Sequence, residues 1–339
     1  MSVLARPRRV IVAVVALTMV AAIVAVAAVV SHGRTHGSGS PSGSSASGAS
    51  TIVPLAPVKP HNTLFGVDVS TPYALEQATD EFGRMPVIRA FYKGLPPADA
   101  WTNGAVAANK SAVVVSFSAS PATILSGSAD ATLAHFFDTA PTGHPIYWSF
   151  DHEPEHLIED HKFSAAAYRG AWAHIGAIAA KADNTELHGT LILTAWTLNP
   201  ISKRDWKNYY APSAVSVLGF DDYPPGTIGD HDPQAVPPDQ FMSAEISVAQ
   251  KAGLGVGFPE FALATPAGRP AWLAAIATYL RTHGVLFAIY FNAPGAGQMT
   301  DAASIASLRH IIASSRAKKA KQSPATSPSS AASTGTVAG

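Results

Sequence analysis

The stretch Ile146-Tyr-Trp-Ser-Phe-Asp-His-Glu-Pro-Glu-His156 decides how this chain is read. Residues Ile146 to Phe150 have strand character, and they run directly into a polar cluster of Asp151, His152, Glu153, Glu155 and His156. A buried strand that ends in charged residues delivers them to its C-terminal mouth, where parallel α/β folds build their sites. Pro154 lacks an N–H and disfavours helix at Glu153, so the turn leaving the strand is constrained.

Apolar runs of the same length recur on both sides of this stretch. Leu64 to Ser70, Pro86 to Phe91 and Ala112 to Ser118 precede it; Thr190 to Trp196, Val215 to Asp221, Gly255 to Phe261 and Val285 to Phe291 follow, making a set of eight. Near-continuous apolar strands imply burial on both faces, as in a parallel sheet covered by helices. The segments between them suit helices: Ser164 caps a periodic stretch to Ala182, and Asp239 to Ala252, Pro270 to His283 and Ala302 to Ser315 carry apolar stripes, with Asp130 to Asp138 as a shorter candidate. The alternation predicts eight βα units and an α/β fold of the (β/α)8 barrel type. An open doubly wound sheet is the competing topology, but no Gly-rich dinucleotide fingerprint follows the first strand, and no cofactor is expected.

The ends read differently. Arg6, Arg8 and Arg9 precede an uncharged apolar run from Val10 to Val30, long enough to cross a bilayer and with the basic flank that stays cytoplasmic. Residues 1–30 are therefore expected to be a signal peptide or signal anchor, residues 31–60 a Ser/Gly/Pro linker, 61–316 the barrel and 317–339 a disordered tail. That organisation predicts an extracellular protein, either secreted or held to the membrane through residues 10–30. The formal charge of zero hides an asymmetry. Between Asp68 and Asp301 lie all 23 acidic residues, while nine of the 23 basic ones (Arg6, Arg8, Arg9, Arg34, Lys59, Arg316, Lys318, Lys319 and Lys321) lie before residue 61 or after residue 315, leaving 14 basic residues and a net charge of −9 between those limits. Such a surface does not favour a phosphate backbone, so no nucleic-acid partner is expected. There is no cysteine, so neither disulfides nor thiolate metal sites are open to the chain.

Two chemistries compete for the opening stretch. His152-Glu153-Pro154-Glu155-His156 matches the zinc-peptidase pattern H-E-x-x-H, which needs a helix through both histidines so that they share a face. The strand before His152 and the proline inside the pattern argue against that helix. The other reading takes Glu153 as a carboxylic acid at a strand end, awaiting a second carboxylate. Glu260, an acid within the apolar run Gly255 to Phe261, is expensive to bury unless paired or used, and it supplies that partner. Two carboxyl groups at one barrel rim, about 5 Å apart, are what a retaining glycosidase requires.

These residues resemble clan A of the glycoside hydrolases, and within it family 26, the β-mannanase family. Phe150-Asp151-His152-Glu153 is similar to the family's acid/base motif at the fourth strand, with Asp151 inserted. Gly219-Phe220-Asp221-Asp222-Tyr223 is similar to its Gly-x-Asp-x-Tyr sixth strand, and Pro259-Glu260-Phe261 to its nucleophile strand. The resemblance implies Glu153 as general acid/base and Glu260 as nucleophile, with His152 on sugar or carboxylate and Tyr223 against Glu260. No metal is implied. Aromatic residues at strand ends can stack on pyranose faces, which singles out Trp196, then Tyr92, Trp101 and Phe291 as substrate-binding candidates; Trp148 lies within a strand and suits the core equally well. The expected function is an exported retaining hydrolase of a β-linked polysaccharide, β-mannan first. A glycan-binding barrel without turnover is the alternative, and a zinc peptidase the third.

Overall fold

In the computed structural model, which describes residues 63–69, 71–108, 111–224, 235–294 and 297–315, the apolar runs become strands of one sheet. They are β1 (Leu64–Asp68), β2 (Val87–Phe91), β3 (Ala112–Phe117), β4 (Ile146–Phe150), β5 (Leu187–Thr194), β6 (Val217–Asp221), β7 (Gly255–Phe261) and β8 (Phe287–Tyr290). Each pairs in parallel with the next, and β8 returns to β1, so the sheet closes as a barrel. Outside it lie α1 (Pro72–Phe82), α2 (Gly104–Ala108), α3 (Pro121–Leu125), α4 (Asp130–Asp138), α5 (Glu155–Glu159), α6 (Ala165–Ala179), α7 (Ser243–Lys251), α8 (Arg269–Thr282) and α9 (Ala302–Ser315). The readings of residues 1–60 and 317–339 fall outside the described residues. Among the described residues no helix is long and apolar enough to cross a membrane.

Local chemistry accounts for the helix starts. The Ser164 side chain accepts the Ala167 N–H at 3.1 Å, as its position before the periodic stretch predicts. Thr71 caps α1 in the same way, 3.0 Å from the Ala74 nitrogen, with Pro72 in the first turn where its missing N–H costs nothing.

The fifth unit departs from expectation. β5 begins at Leu187 rather than Thr190 and stops at Thr194, because Ala195–Leu198 winds into a 3-10 turn. No α-helix follows. The connection to β6 holds only two further 3-10 turns, Pro200–Ser202 and Trp206–Asn208. Pro200 and Pro212 cannot serve a helix interior, and the Asn199 side chain accepts the Ile201 N–H at 3.0 Å, an Asx turn that competes with helix. The outer layer therefore has a gap between α6 and α7.

Alternation along the strands sorts side chains into two populations. Phe65, Val67, Ile88, Ala90, Val113, Val115, Phe117, Trp148, Phe150, Leu191, Leu218, Phe258 and Tyr290 join the large core under the helices. Trp148, which stacks on Trp172 at 4.9 Å, belongs there. Their neighbours point into the barrel and form a smaller apolar cluster of Val87, Ala112, Val114, Tyr147, Ile192, Val217, Leu286, Phe287 and Ile289. Tyr147 and Phe287 meet at 4.5 Å and fill the centre. Gly257 is required there, since a Cβ would sit 2.3 Å from the Phe287 ring. Further along the same inward rows the residues turn polar: Asp68, Arg89, Ser116, Ser149 and Asp221 all lie near the C-terminal ends of their strands. The barrel is thus plugged with hydrocarbon at one end and lined with charge at the other.

Candidate active site

The turn after β4 is built from two residues in a conformation that L-amino acids avoid. Asp151 has φ 41° and Glu153 φ 52°, and left-handed backbone at non-glycine residues costs of order 1–3 kcal/mol each. Hydrogen bonds on both sides hold it. The Asp151 N–H donates to Phe117 O of β3 at 2.9 Å, and the Glu153 N–H to Ile192 O of β5 at 3.0 Å. The buried Tyr168 hydroxyl reaches the carbonyls of Phe150 and Asp151, each at 3.0 Å. Pro154 then starts α5. His152 consequently lies in the turn and only His156 in the helix, so the shared helical face that the H-E-x-x-H grip needs does not form. Among the described residues no cluster of three or more His, Asp or Glu is arranged to hold a metal ion.

Glu155 has a structural task. Its buried carboxylate accepts the Thr194 N–H at 2.8 Å and the hydroxyls of Thr194 and Thr197, which ties α5 to the end of β5. Glu159 and Arg204 form a two-point ion pair at 2.6 and 2.7 Å just beyond it.

Glu260 reaches the same rim from β7. The β6–β7 register shifts between Gly219 and Asp221, and the β7–β8 register between Phe258 and Phe261. Such an irregularity re-aims a side chain at a strand end. The Tyr223 hydroxyl donates to Glu260 Oε2 at 2.8 Å, and Arg89 Nε lies 3.8 Å from Oε1. Arg89 is fully buried, donates through Nη1 to Ser116 Oγ at 3.0 Å, and stacks its guanidinium 4.4 Å from the Phe91 ring centre.

Four carboxyl groups, those of Asp68, Glu153, Asp221 and Glu260, thus lie in the field of one buried guanidinium, and a low-dielectric site cannot keep all of them ionised. Burial, then the charges of Glu260 and Glu155, push Glu153 up to about 7, against the pull of Arg89 and Arg204. Asp68 rises to about 6, chiefly by burial, although it accepts the Asn292 N–H at 2.7 Å. Asp221 is pushed well above the carboxylate range by burial and then by Glu260, and neither of its oxygens has a hydrogen-bond partner among the described residues. His152 moves down to about 3 through burial, Arg89 and His156, so it is neutral and free to donate or accept one hydrogen bond. Its ring packs 5.4 Å from Phe91. Asp151 rises to about 7 by burial.

The structure brings Glu153, Glu260, His152 and Tyr223 together. Phe291 joins them, half-buried after β8 and edge-on to Tyr223 at 6.4 Å. The other aromatics are more dispersed. Trp196 is 49% exposed on the turn after β5. Tyr92 packs on the core with its hydroxyl 3.5 Å from Ala100 O. Trp101 stacks on Phe136 at 4.8 Å and donates its indole N–H to the Phe136 carbonyl, so one face is taken. Arg89, Asp68 and Asp221 escaped the sequence reading as site residues. The signal that exposed Glu260, a charge inside an apolar run, was equally present at Arg89 and Asp68.

Neither a family model nor a curated protein sequence matches this chain. Solved structures do match. A glucosidase from Croceicoccus marinus aligns over 77% of this chain and 67% of its own, at 12% identity and TM-score 0.53. The catalytic domain of a family 26 endo-β-1,4-mannanase from Bacillus sp. JAMB-750 aligns over 74% and 85%, at 11% identity and TM-score 0.52. Cel5A of Thermotoga maritima, solved with mannotriose, aligns over 75% and 98%, at 8% identity and TM-score 0.50. The chain resembles clan A glycoside hydrolases, family 26 among them, in its barrel; at these identities the likeness is one of fold.

Proposed function

We propose that this protein is a retaining glycoside hydrolase that cleaves a β-linked polysaccharide, with β-mannan as the first candidate. The observation that carries the reading is the opposite treatment of two carboxyl groups at one rim. Glu260 accepts a hydrogen bond from Tyr223 at 2.8 Å and lies 3.8 Å from the Arg89 guanidinium, whereas burial, then the charge of Glu260, pushes Glu153 up to about 7. That division suits double displacement. The Glu153 proton passes to the glycosidic oxygen as the Glu260 carboxylate bonds to the anomeric carbon and the C–O bond breaks. Water, losing its proton to Glu153, then displaces Glu260 and restores both groups. Neutral His152 is suited to a sugar hydroxyl, Phe291 and Trp196 to the apolar face of a ring, and Tyr92 and Trp101 to outer contacts.

The test is rescue. Glu260→Ala and Glu153→Ala should both abolish polysaccharide hydrolysis, with azide partly restoring Glu260→Ala from the opposite face. Glu153→Ala should keep turnover on an activated aryl glycoside, whose leaving group needs no proton. A protein that binds β-mannan, β-glucan or β-xylan but cleaves none of them would be a binding barrel instead. Activity lost to a chelator but kept in Glu260→Ala would favour a metal enzyme. We also propose that the domain works outside the cell, on the strength of the basic flank and apolar run of residues 6–30; protection of the full-length protein from external protease in spheroplasts would refute that.

A further inference from the structure

Where the fifth unit carries 3-10 turns in place of a helix, the surface is recessed. Between α6 and α7 lies a surface cavity of about 770 Å³, walled by Trp206 and Tyr210 from the β5–β6 connection. The two rings stand 5.2 Å apart at 49°. Trp206 is buried beneath, while Tyr210 is partly exposed, so an aromatic wall borders the opening. Three cations lie around it: Arg169 from α6, Lys207 from the connection and Lys251 from the end of α7. Among the described residues no acidic side chain lines the cavity. Among the described residues none of the three cations enters an ion pair. Arg169 spends one N–H on the Asn208 carbonyl, which orients the guanidinium and leaves its other donors unspent on described residues. The nearby Asp205 carboxylate is turned back onto its own chain, accepting the Lys207 N–H at 3.0 Å.

This concentration of positive charge runs against the balance of the domain, which between Asp68 and Asp301 has 13 basic residues against 23 acidic ones. Three cations that border one cavity give it a positive potential, which attracts an anion. A partly exposed tyrosine backed by tryptophan suits the C–H face of a sugar ring, with the charged groups meeting substituents at its edge. We propose that this cavity is a second carbohydrate site, outside the barrel rim, which binds an oligosaccharide bearing carboxylate groups. The pyranose rests against Tyr210, and the uronate carboxylates pair with Arg169, Lys207 and Lys251. The choice of a sugar rather than another anion rests on the hydrolase reading of the rim; the charge and shape of the cavity do not.

The probe is a short oligogalacturonide, titrated calorimetrically into full-length Glu153→Gln protein so that no substrate is consumed. Neutral manno-oligosaccharide and inorganic phosphate serve as comparisons. Binding should weaken about tenfold or more in Lys207→Glu/Lys251→Glu, whose side chains are exposed, and should fall with added salt. Tyr210→Ala should weaken the oligogalacturonide but not phosphate. In an otherwise wild-type background the lysine pair should leave hydrolysis of a neutral aryl glycoside unchanged. No oligogalacturonide binding, or binding indifferent to the lysine pair, would overturn the site. Equal losses for phosphate and sugar in Tyr210→Ala would overturn its carbohydrate character. The two readings separate cleanly: acidic-sugar binding that depends on the lysines in a protein with no glycosidase activity would sink the hydrolase and keep the site, and the converse would do the reverse.

Discussion

Replacing Glu153 by glutamine should stabilise the protein, and only in neutral or alkaline solution. Glu153 is held at about 7 in the folded chain against 4.5 for a free glutamate. A folded-state value above the unfolded one means stability that is complete below 4.5 and is lost as pH rises through 7, because the native state must then give up a proton it holds more tightly. Integrating between those values gives a penalty below about 1 kcal/mol at pH 5 and roughly 3 kcal/mol at pH 8. Glutamine keeps the shape and mimics the protonated acid, so it removes the penalty. For a domain of this size about 2–4 °C in melting temperature accompanies each kcal/mol, so the variant should melt up to about 10 °C higher at pH 8 and nearly with the wild type at pH 5. Circular-dichroism melts of both proteins across that range measure the gap directly. Other raised carboxyls, such as Asp68 and Glu245, shift both proteins alike and cancel in the difference. A gap that stays constant with pH would refute the argument, since it would make Glu153 an ordinary packing residue.

Hydrolysis should decline as pH rises through about 7, where Glu153 loses the proton it donates; a pH–rate profile flat to pH 9 would exclude it as the acid. Tyr223→Phe removes a hydrogen bond to a carboxylate, worth about 1.5–3 kcal/mol, and should lower kcat/KM roughly ten- to a hundredfold; steady-state kinetics on an aryl glycoside measure it, and unchanged kcat/KM would exclude Tyr223 as a partner of the nucleophile. Arg89→Met leaves the carboxyl cluster without its buried cation and should cost about 3–5 kcal/mol in denaturant titrations; a neutral outcome would mean the cluster is already fully protonated. Gly257→Ala drives a methyl into Phe287 at 2.3 Å and should destabilise by at least about 1–3 kcal/mol, read from the same titrations.

The barrel was legible because its strands are apolar on both faces, and hydrophobic runs of fixed length are the strongest signal a sequence carries. Helices with a polar cap and an apolar stripe, such as α6 behind Ser164, were legible for the same reason. α1 carried an equally plain start in Thr71-Pro72 and an apolar stripe of Leu75, Ala78 and Phe82 at helical spacing, so it too was legible in the sequence. The fifth unit misled because counting strands implies a helix after each, whereas Asn199, Pro200 and Pro212 speak for turns. At the site, Glu153 and Glu260 stood out by position and by resemblance. Asp221 was seen only as part of a motif, and its isolation from hydrogen-bond partners emerges only when β6 and β7 are side by side. The left-handed backbone at Asp151 and Glu153 has no sequence signature at all, since neither residue is glycine; it is imposed by the carbonyls of β3 and β5 on either side.

The aromatic plug of Tyr147 and Phe287 also governs traffic. With one end of the barrel stoppered, nothing can thread through it, so on the hydrolase reading proposed above a polymer at Glu153 and Glu260 would lie across the opening like a rod across the neck of a bottle. Both fragments of a cut chain would then depart by the doorway the next chain needs. Product and substrate compete for a single entrance, so accumulating oligosaccharide should raise the apparent KM and leave kcat untouched.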